Sequence, residues 1–213
     1  MADKVHIPMT FDELLRQAAR HVRPALMKQW LNKVHTGDCP EILAKLPAES
    51  VGLVVAGPAG DDGRSEEEHL SWQRDCLTAM MRVLRADGAI FYRHLWRVRN
   101  GLLRDWRKIV DGFPVRQIII RKRTGRIHPA PDCFLSNYEV IYLIAGPCFR
   151  LRSEAGAAGA VWEIPRDQVA RRCIESTDAG IVLDPFMGDD TTVAAASACG
   201  RQWIGVKQEN AAS

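Results

Sequence analysis

Apolar and polar positions along the chain set out a succession of short strands and helices. Behind Thr10-Phe11-Asp12-Glu13, a capping box with Thr10 as N-cap, the apolar positions Phe11, Leu14, Leu15, Ala18 and Val22 follow helical spacing. Pro24 ends or kinks that helix. KVHTGD reads as a strand ending at Gly37-Asp38, and PEILAKL as a short helix with Pro40 in its first turn. VGLVVA is a continuous apolar strand, as expected when both faces are covered. EEEHLSWQRDCLTAMMRVLRADG predicts a long amphipathic helix with Leu70, Leu77, Met80, Met81 and Leu84 inward. Ala86-Asp87-Gly88 is expected to close it, with Gly88 in the left-handed C-terminal position. AIFYR then reads as a strand, LLRDWRKIV as a helix, and VRQIIIRK and YEVIYLIA as strands.

A basic, proline-bearing loop, RKRTGRIHPAPDCFLSN, separates those last two strands, and the small residues of SEAGAAGAV suggest a surface linker. RDQVARRCIEST predicts a helix, GIVLDPF a strand, DTTVAAASACG a helix and RQWIGV a final strand. There is no internal repeat. Strands alternating with helices argue for an α/β chain with a mostly parallel sheet and helices on both faces. The chain is expected to divide into an N-terminal helical segment, 1–32, and one domain, 33–213.

Composition narrows the class. At 213 residues, 46% hydrophobic and 26% charged, the chain suits a single soluble globular domain with a real core. It has no apolar run long enough for a membrane span, and its N-terminus has no apolar stretch like that of a signal peptide. Cys39, Cys76, Cys133, Cys148, Cys173 and Cys199 form no C-x-x-C pair, and the six histidines form no H-x-x-x-H pair. Reduced thiols, a cytoplasmic setting and no metal are therefore expected. The net charge of +3 is unevenly spread: Arg93 to Arg126 carries eleven Lys/Arg against Asp105 and Asp111. Such a segment is either a candidate contact for a polyanion or a solvated basic face.

The stretch GIVLDPFMGDDTTVAAASACGRQWIGVKQEN carries the most information. A buried strand ends in Asp184-Pro185-Phe186, and a glycine-bearing turn, a helix and a second strand follow. It resembles the S-adenosylmethionine (SAM) motif of the DNA amino-methyltransferases that act on adenine N6 or cytosine N4. That family reads D-P-F-x-G-S-G-T-T here, with I-G-x-E at the next strand. VHTGDCPEILAKLPAESVGLVVAGPAG resembles the opening that leads into the family's catalytic D-P-P-Y, in the permuted order with the catalytic motif before the SAM motif. CLTAMMRVLRADGAIFY, IIIRKRTGRI…SNYEVIYLIAG and IPRDQVARRCIEST resemble its intervening pieces. The resemblance covers about residues 33 to 207 and implies a Rossmann-like SAM-dependent methyltransferase fold, with DNA as partner and a bacterial or phage-like source. Asp38, Asp184, Pro185, Phe186, Gly188, Thr191 and Thr192 match its cofactor positions.

Other positions depart from the family. Laid on D-P-P-Y, the loop reads Gly57-Pro58-Ala59-Gly60. The family's first residue accepts from the target amino group, and its aromatic residue stacks on a flipped-out base. Gly57 and Gly60 offer neither. Asp189-Asp190 replaces Ser-Gly at the cofactor turn, where acidic residues favour the helix N-terminus but crowd a cofactor carboxylate. Lys207 stands where the family has a ribose-binding acid, and an ammonium only donates. Glu209 is the nearest substitute. Weakened SAM binding and impaired catalysis follow, as in a pseudoenzyme or a deliberately inactivated design. Two alternatives stay open. One is an active DNA methyltransferase with a non-standard loop, using Asp61 or Asp62. The other is an inactive subunit in a homodimer or beside a methyltransferase partner, docking through residues 10–23. For DNA contact the candidates are Arg97, Arg99, Arg121, Lys122, Arg123 and Arg126.

Overall fold

A computed structural model of the chain describes residues 25–58, 63–99, 102–104, 106–123, 134 and 137–208, with only the backbone for 97–99. The expected helix at 10–23, Ala59, Gly60, Asp61, Asp62, Arg126, Glu209 and the side chains of Arg97 and Arg99 lie outside the described residues.

In chain order the elements are β1 (Lys33–Thr36), α1 (Cys39–Lys45), β2 (Val51–Ala56), α2 (Glu66–Val83), β3 (Leu84–His94), β4 (Arg97–Arg99), β5 (Leu102–Arg104), β6 (Val115–Lys122) and β7 (Tyr138–Ala145). There follow α3 (Ser153–Gly156), β8 (Val161–Trp162), α4 (Gln168–Glu175), β9 (Ile181–Asp184), α5 (Thr191–Ala198) and β10 (Gln202–Lys207). Eight strands form one sheet in the order β1-β10-β9-β2-β3-β7-β6-β8. Five of its pairings are parallel; β7 runs antiparallel to both β3 and β6.

Alternation along the central strands builds a core on each face. Val54, Ile90, Tyr92 and Tyr142 pack with Leu43 of α1 and Leu77 and Met80 of α2. Leu53, Phe91, Ile141 and Leu143 pack on the other face with Val169, Cys173 and Ile174 of α4 and Ala196 of α5. Met27 and Trp30 join the first core, and Asn32 exchanges hydrogen bonds with Trp203, so residues 25–32 are continuous with the sheet domain.

Two expectations are corrected. The long helix ends at Val83, and Leu84 to His94 is all strand, so Ala86-Asp87-Gly88 lies inside β3. Gly88 is not left-handed; a Cβ there would stand 2.8 Å from the Gly52 carbonyl oxygen, so close strand packing explains the glycine. The start of α2 is fixed by a capping box at Ser65 and Glu68, with Ser65 Oγ accepting from the Glu68 N–H. LLRDWRKIV is not a helix either. Leu102–Arg104 pairs with Arg97–Arg99 as a small antiparallel ribbon, Trp106 takes a left-handed φ of 52°, and only Arg107–Ile109 turn as a 3-10 helix. Hairpin pairing wins over the helical period there.

Candidate functional site

The chain leaves β9 through α5 on one face of the sheet and leaves the adjacent β2 through α2 on the other. Adjacent crossovers that diverge in this way open a crevice at the carboxyl ends of their strands. A cavity of about 1120 Å³ lies there, lined by Val55 to Pro58 at the end of β2, Arg93 to Leu95 at the end of β3, and Asp184, Phe186, Gly188, Asp189, Thr191 and Thr192 from the end of β9 into α5. Arg121, Arg123 and Glu139 from β6 and β7 and Arg166 before α4 close its far side. The Gly57-Pro58 loop and the Gly188-Asp189 turn, far apart in sequence, thus share one cavity.

Gly57 and Pro58 are half-buried at its wall. The space beside Gly57 is filled by the end of Arg93, a residue singled out in the sequence only as part of a basic run. A Cβ built on Gly57 would stand 2.6 Å from Arg93 Nη2 and 3.0 Å from its Nε. The place where a side chain at position 57 would begin holds a guanidinium, which can only donate.

At the end of β9, Asp184 is buried, with Oδ1 accepting from the Phe186 N–H at 3.1 Å. Burial pushes its carboxyl up to about 6, although the Thr192 side chain, the Phe186 amide and Arg93 all pull it down. Pro185 is buried beneath it; Gly188, Asp189 and Asp190 are exposed in the turn. Asp189 accepts from the Thr191 N–H at 3.1 Å, and hydrogen bonding from Thr191 holds its carboxyl below the usual value. Asp190 is the N-cap of α5 at φ −84°, an ordinary backbone conformation, and its side chain makes no cap hydrogen bond.

Asp38 stands at the N-cap of α1, where its Oδ1 accepts from Trp72 Nε1 at 2.9 Å. The Trp72 ring lies 5.6 Å from that of Phe186. Asp38 and Phe186, matched separately in the sequence, are therefore joined through Trp72, which sequence reasoning missed. Lys207 is exposed at the end of β10, and its carbonyl accepts from Gly37 N–H at 3.0 Å.

The basic candidates divide. Arg121 is 3% exposed and its Nε donates to Glu139, directly opposite on β7, so it braces β6 against β7 rather than standing as a surface cation. Lys122 is exposed and within 3.3 Å of Glu163; Arg123 is half-buried at the cavity. Arg64 and Arg104 also line it. The signal for Arg121 was in the sequence, since it lies two residues beyond the inward Ile119. A further network was missed: Tyr92 Oη donates to Gln73 Oε1 at 2.6 Å, and Gln73 is bonded to His69. The His69 and His94 rings each have their centroid 5.6 Å from that of Trp106, His69 edge-on to it. Among the described residues no group of His, Cys, Asp or Glu is placed to hold a metal ion, and no helix is long and apolar enough to cross a membrane.

Comparison with known proteins places this geometry. A family model described as DNA methylase matches residues 163–212, from before α4 to beyond β10. The type II methyltransferase M.BglII of Bacillus subtilis is 25% identical over 269 aligned residues, spanning 97% of this chain and 73% of M.BglII. The PvuII DNA methyltransferase, cytosine-N4-specific, superposes with a TM-score of 0.72 at 16% identity, over 83% of this chain and 82% of that one. TTHA0409 of Thermus thermophilus, described as a DNA modification methylase and solved with S-adenosyl-L-methionine, gives a TM-score of 0.68 at 24% identity, over 83% and 89%.

Proposed function

We infer that this chain, a homologue of the N6-adenine and N4-cytosine DNA methylases, is a DNA-binding protein on the methyltransferase fold that transfers methyl groups poorly or not at all. One observation carries the reading: the Arg93 guanidinium stands beside Gly57 where the homologous loop would project its acceptor. A target amino group donates hydrogen, so it meets another donor there, and its nitrogen lone pair is not turned towards a methyl group.

The residues present do not fit SAM well. The Thr191 N–H at the start of α5 is already taken by Asp189, whose carboxylate would face that of the cofactor. Asp38 Oδ1 is engaged by Trp72, and Lys207 cannot accept from ribose hydroxyls.

Exposed Lys122, with Arg123, Arg64 and Arg104 at the cavity, supports contact with a phosphate backbone. The test combines two assays. Labelled SAM incubated with protein and mixed-sequence duplex DNA should leave no label in the DNA above a protein-free control. Fluorescence anisotropy should show DNA binding that weakens steeply with salt, and Lys122→Ala should lower the slope of log K against log salt by about 1. Methyl incorporation, or salt-insensitive binding, would overturn the reading.

A further inference from the structure

Arg93 poses a question that the loss of methyl transfer leaves unanswered. It is half-buried, at the end of the central strand β3, and its guanidinium faces the cavity. Arg166 lines the same cavity and repels Arg93, while Glu139 and Asp184 attract it from beyond hydrogen-bonding reach. Among the described residues neither guanidinium makes a hydrogen bond or an ion pair within 4 Å. The nearby carboxylates are otherwise committed. Glu139 holds Arg121, Asp184 accepts from the Phe186 amide, and Asp189 accepts from the Thr191 amide. Glu66, nearer the mouth, pairs with Arg104 at 3.3 Å. A partly desolvated guanidinium with no hydrogen-bond acceptor is costly, and a multidentate oxyanion relieves that cost best.

The glycine makes the space. A side chain at position 57 would have to push the end of Arg93 aside, so in this arrangement Gly57 and Arg93 work as a pair that turns the catalytic position from an acceptor into a donor. Trp106 and Phe186 line the same cavity, whose volume of about 1120 Å³ exceeds what a phosphate alone needs. Planar rings beside a fork of donors suit a base attached to phosphates.

We propose that the cavity at the carboxyl ends of β2, β3 and β9 binds a nucleoside phosphate, with Arg93 and Arg166 on its phosphate oxygens and Trp106 against its base. This goes beyond the loss of methyl transfer and does not depend on DNA binding. A free nucleotide is the occupant favoured by a volume of about 1120 Å³ lined by both rings and guanidinium groups; the phosphates of a DNA strand are the other source of the same chemistry.

Calorimetric titration of the intact protein with deoxythymidine triphosphate, inorganic pyrophosphate, deoxythymidine and a short single-stranded oligonucleotide tests it. The triphosphate should bind, pyrophosphate more weakly, and deoxythymidine not measurably. Arg93→Met should weaken triphosphate binding roughly tenfold or more, the loss of one charge-assisted contact. Gly57→Asp pushes the end of Arg93 aside and puts a carboxylate within its reach, so it should do the same, and failure of either variant to fold leaves the other to decide. Arg93→Lys should recover part of the affinity. Oligonucleotide binding that Arg93→Met weakens, with no triphosphate binding, moves the occupant to a DNA strand and keeps the site. Absence of binding by triphosphate, pyrophosphate and oligonucleotide alike, or binding unchanged in both variants, overturns the proposal.

Discussion

Removing the charge of Asp184 should stabilise the protein at neutral pH and have little effect in acid. The carboxyl is 7% exposed at the end of β9, and burial raises it from 3.8 to about 6. The folded protein therefore holds this proton more tightly than the unfolded chain does. Stability falls as pH rises from near 4 through 6, and the deficit persists above that. At about 1.4 kcal/mol per tenfold, the difference amounts to about 3 kcal/mol at pH 7 to 8. Asp184→Asn keeps an oxygen to accept from the Phe186 amide and removes the charge. The value of about 6 already includes the opposing pull of Arg93, but the amide gives up one of the two acceptor oxygens, so the expected gain is smaller, roughly 1 to 2 kcal/mol at neutral pH. Urea denaturation of both proteins at intervals between about pH 4 and pH 8 reads it directly. The two stabilities should meet near the acid end and diverge through pH 6. A variant that is weaker by the same amount at every pH would refute the reasoning, because Asp184 would then act through hydrogen bonding alone.

Glu139→Gln leaves Arg121 buried without its counter-charge and should cost about 3 to 5 kcal/mol in chemical denaturation. Gly88→Ala places a Cβ 2.8 Å from the Gly52 carbonyl and should destabilise by about 1 to 3 kcal/mol, read by thermal melting. Gly205→Ala meets the movable Met187 Sδ at 2.7 Å instead and should cost less than Gly88→Ala in the same measurement. Ser65→Ala removes the hydroxyl cap of α2 and should cost about 1 kcal/mol.

Much of the scaffold was legible because burial repeats along the chain. VRQIIIRK and YEVIYLIA are strands over the residues read as such, since every second side chain of β7 feeds one core and the alternate ones the other. The end of α2 was misread because Leu84 continues the helical stripe, and what stops the helix is pairing of Leu84 to His94 with β2 and β7, which no local pattern encodes. LLRDWRKIV misled for the same reason, its apolar spacing serving a ribbon and a 3-10 turn. At the site, the glycine turn and Asp184-Pro185-Phe186 were visible as a motif. The contact of Arg93 with position 57, the Trp72 bond to Asp38 and the Glu139 partner of Arg121 join residues 18 to 36 positions apart. Only the last left a trace, as opposite charges at inward positions on two strands.

If the methyltransferase fold persists here without a working SAM site, the chain should fold yet fail to take up SAM. Calorimetric titration of SAM into the unaltered chain and into the Asp189→Ser, Asp190→Gly, Lys207→Glu triple variant tests it most directly. No measurable binding by the unaltered chain and restored binding by the triple variant are expected. Micromolar binding by the unaltered chain would contradict it.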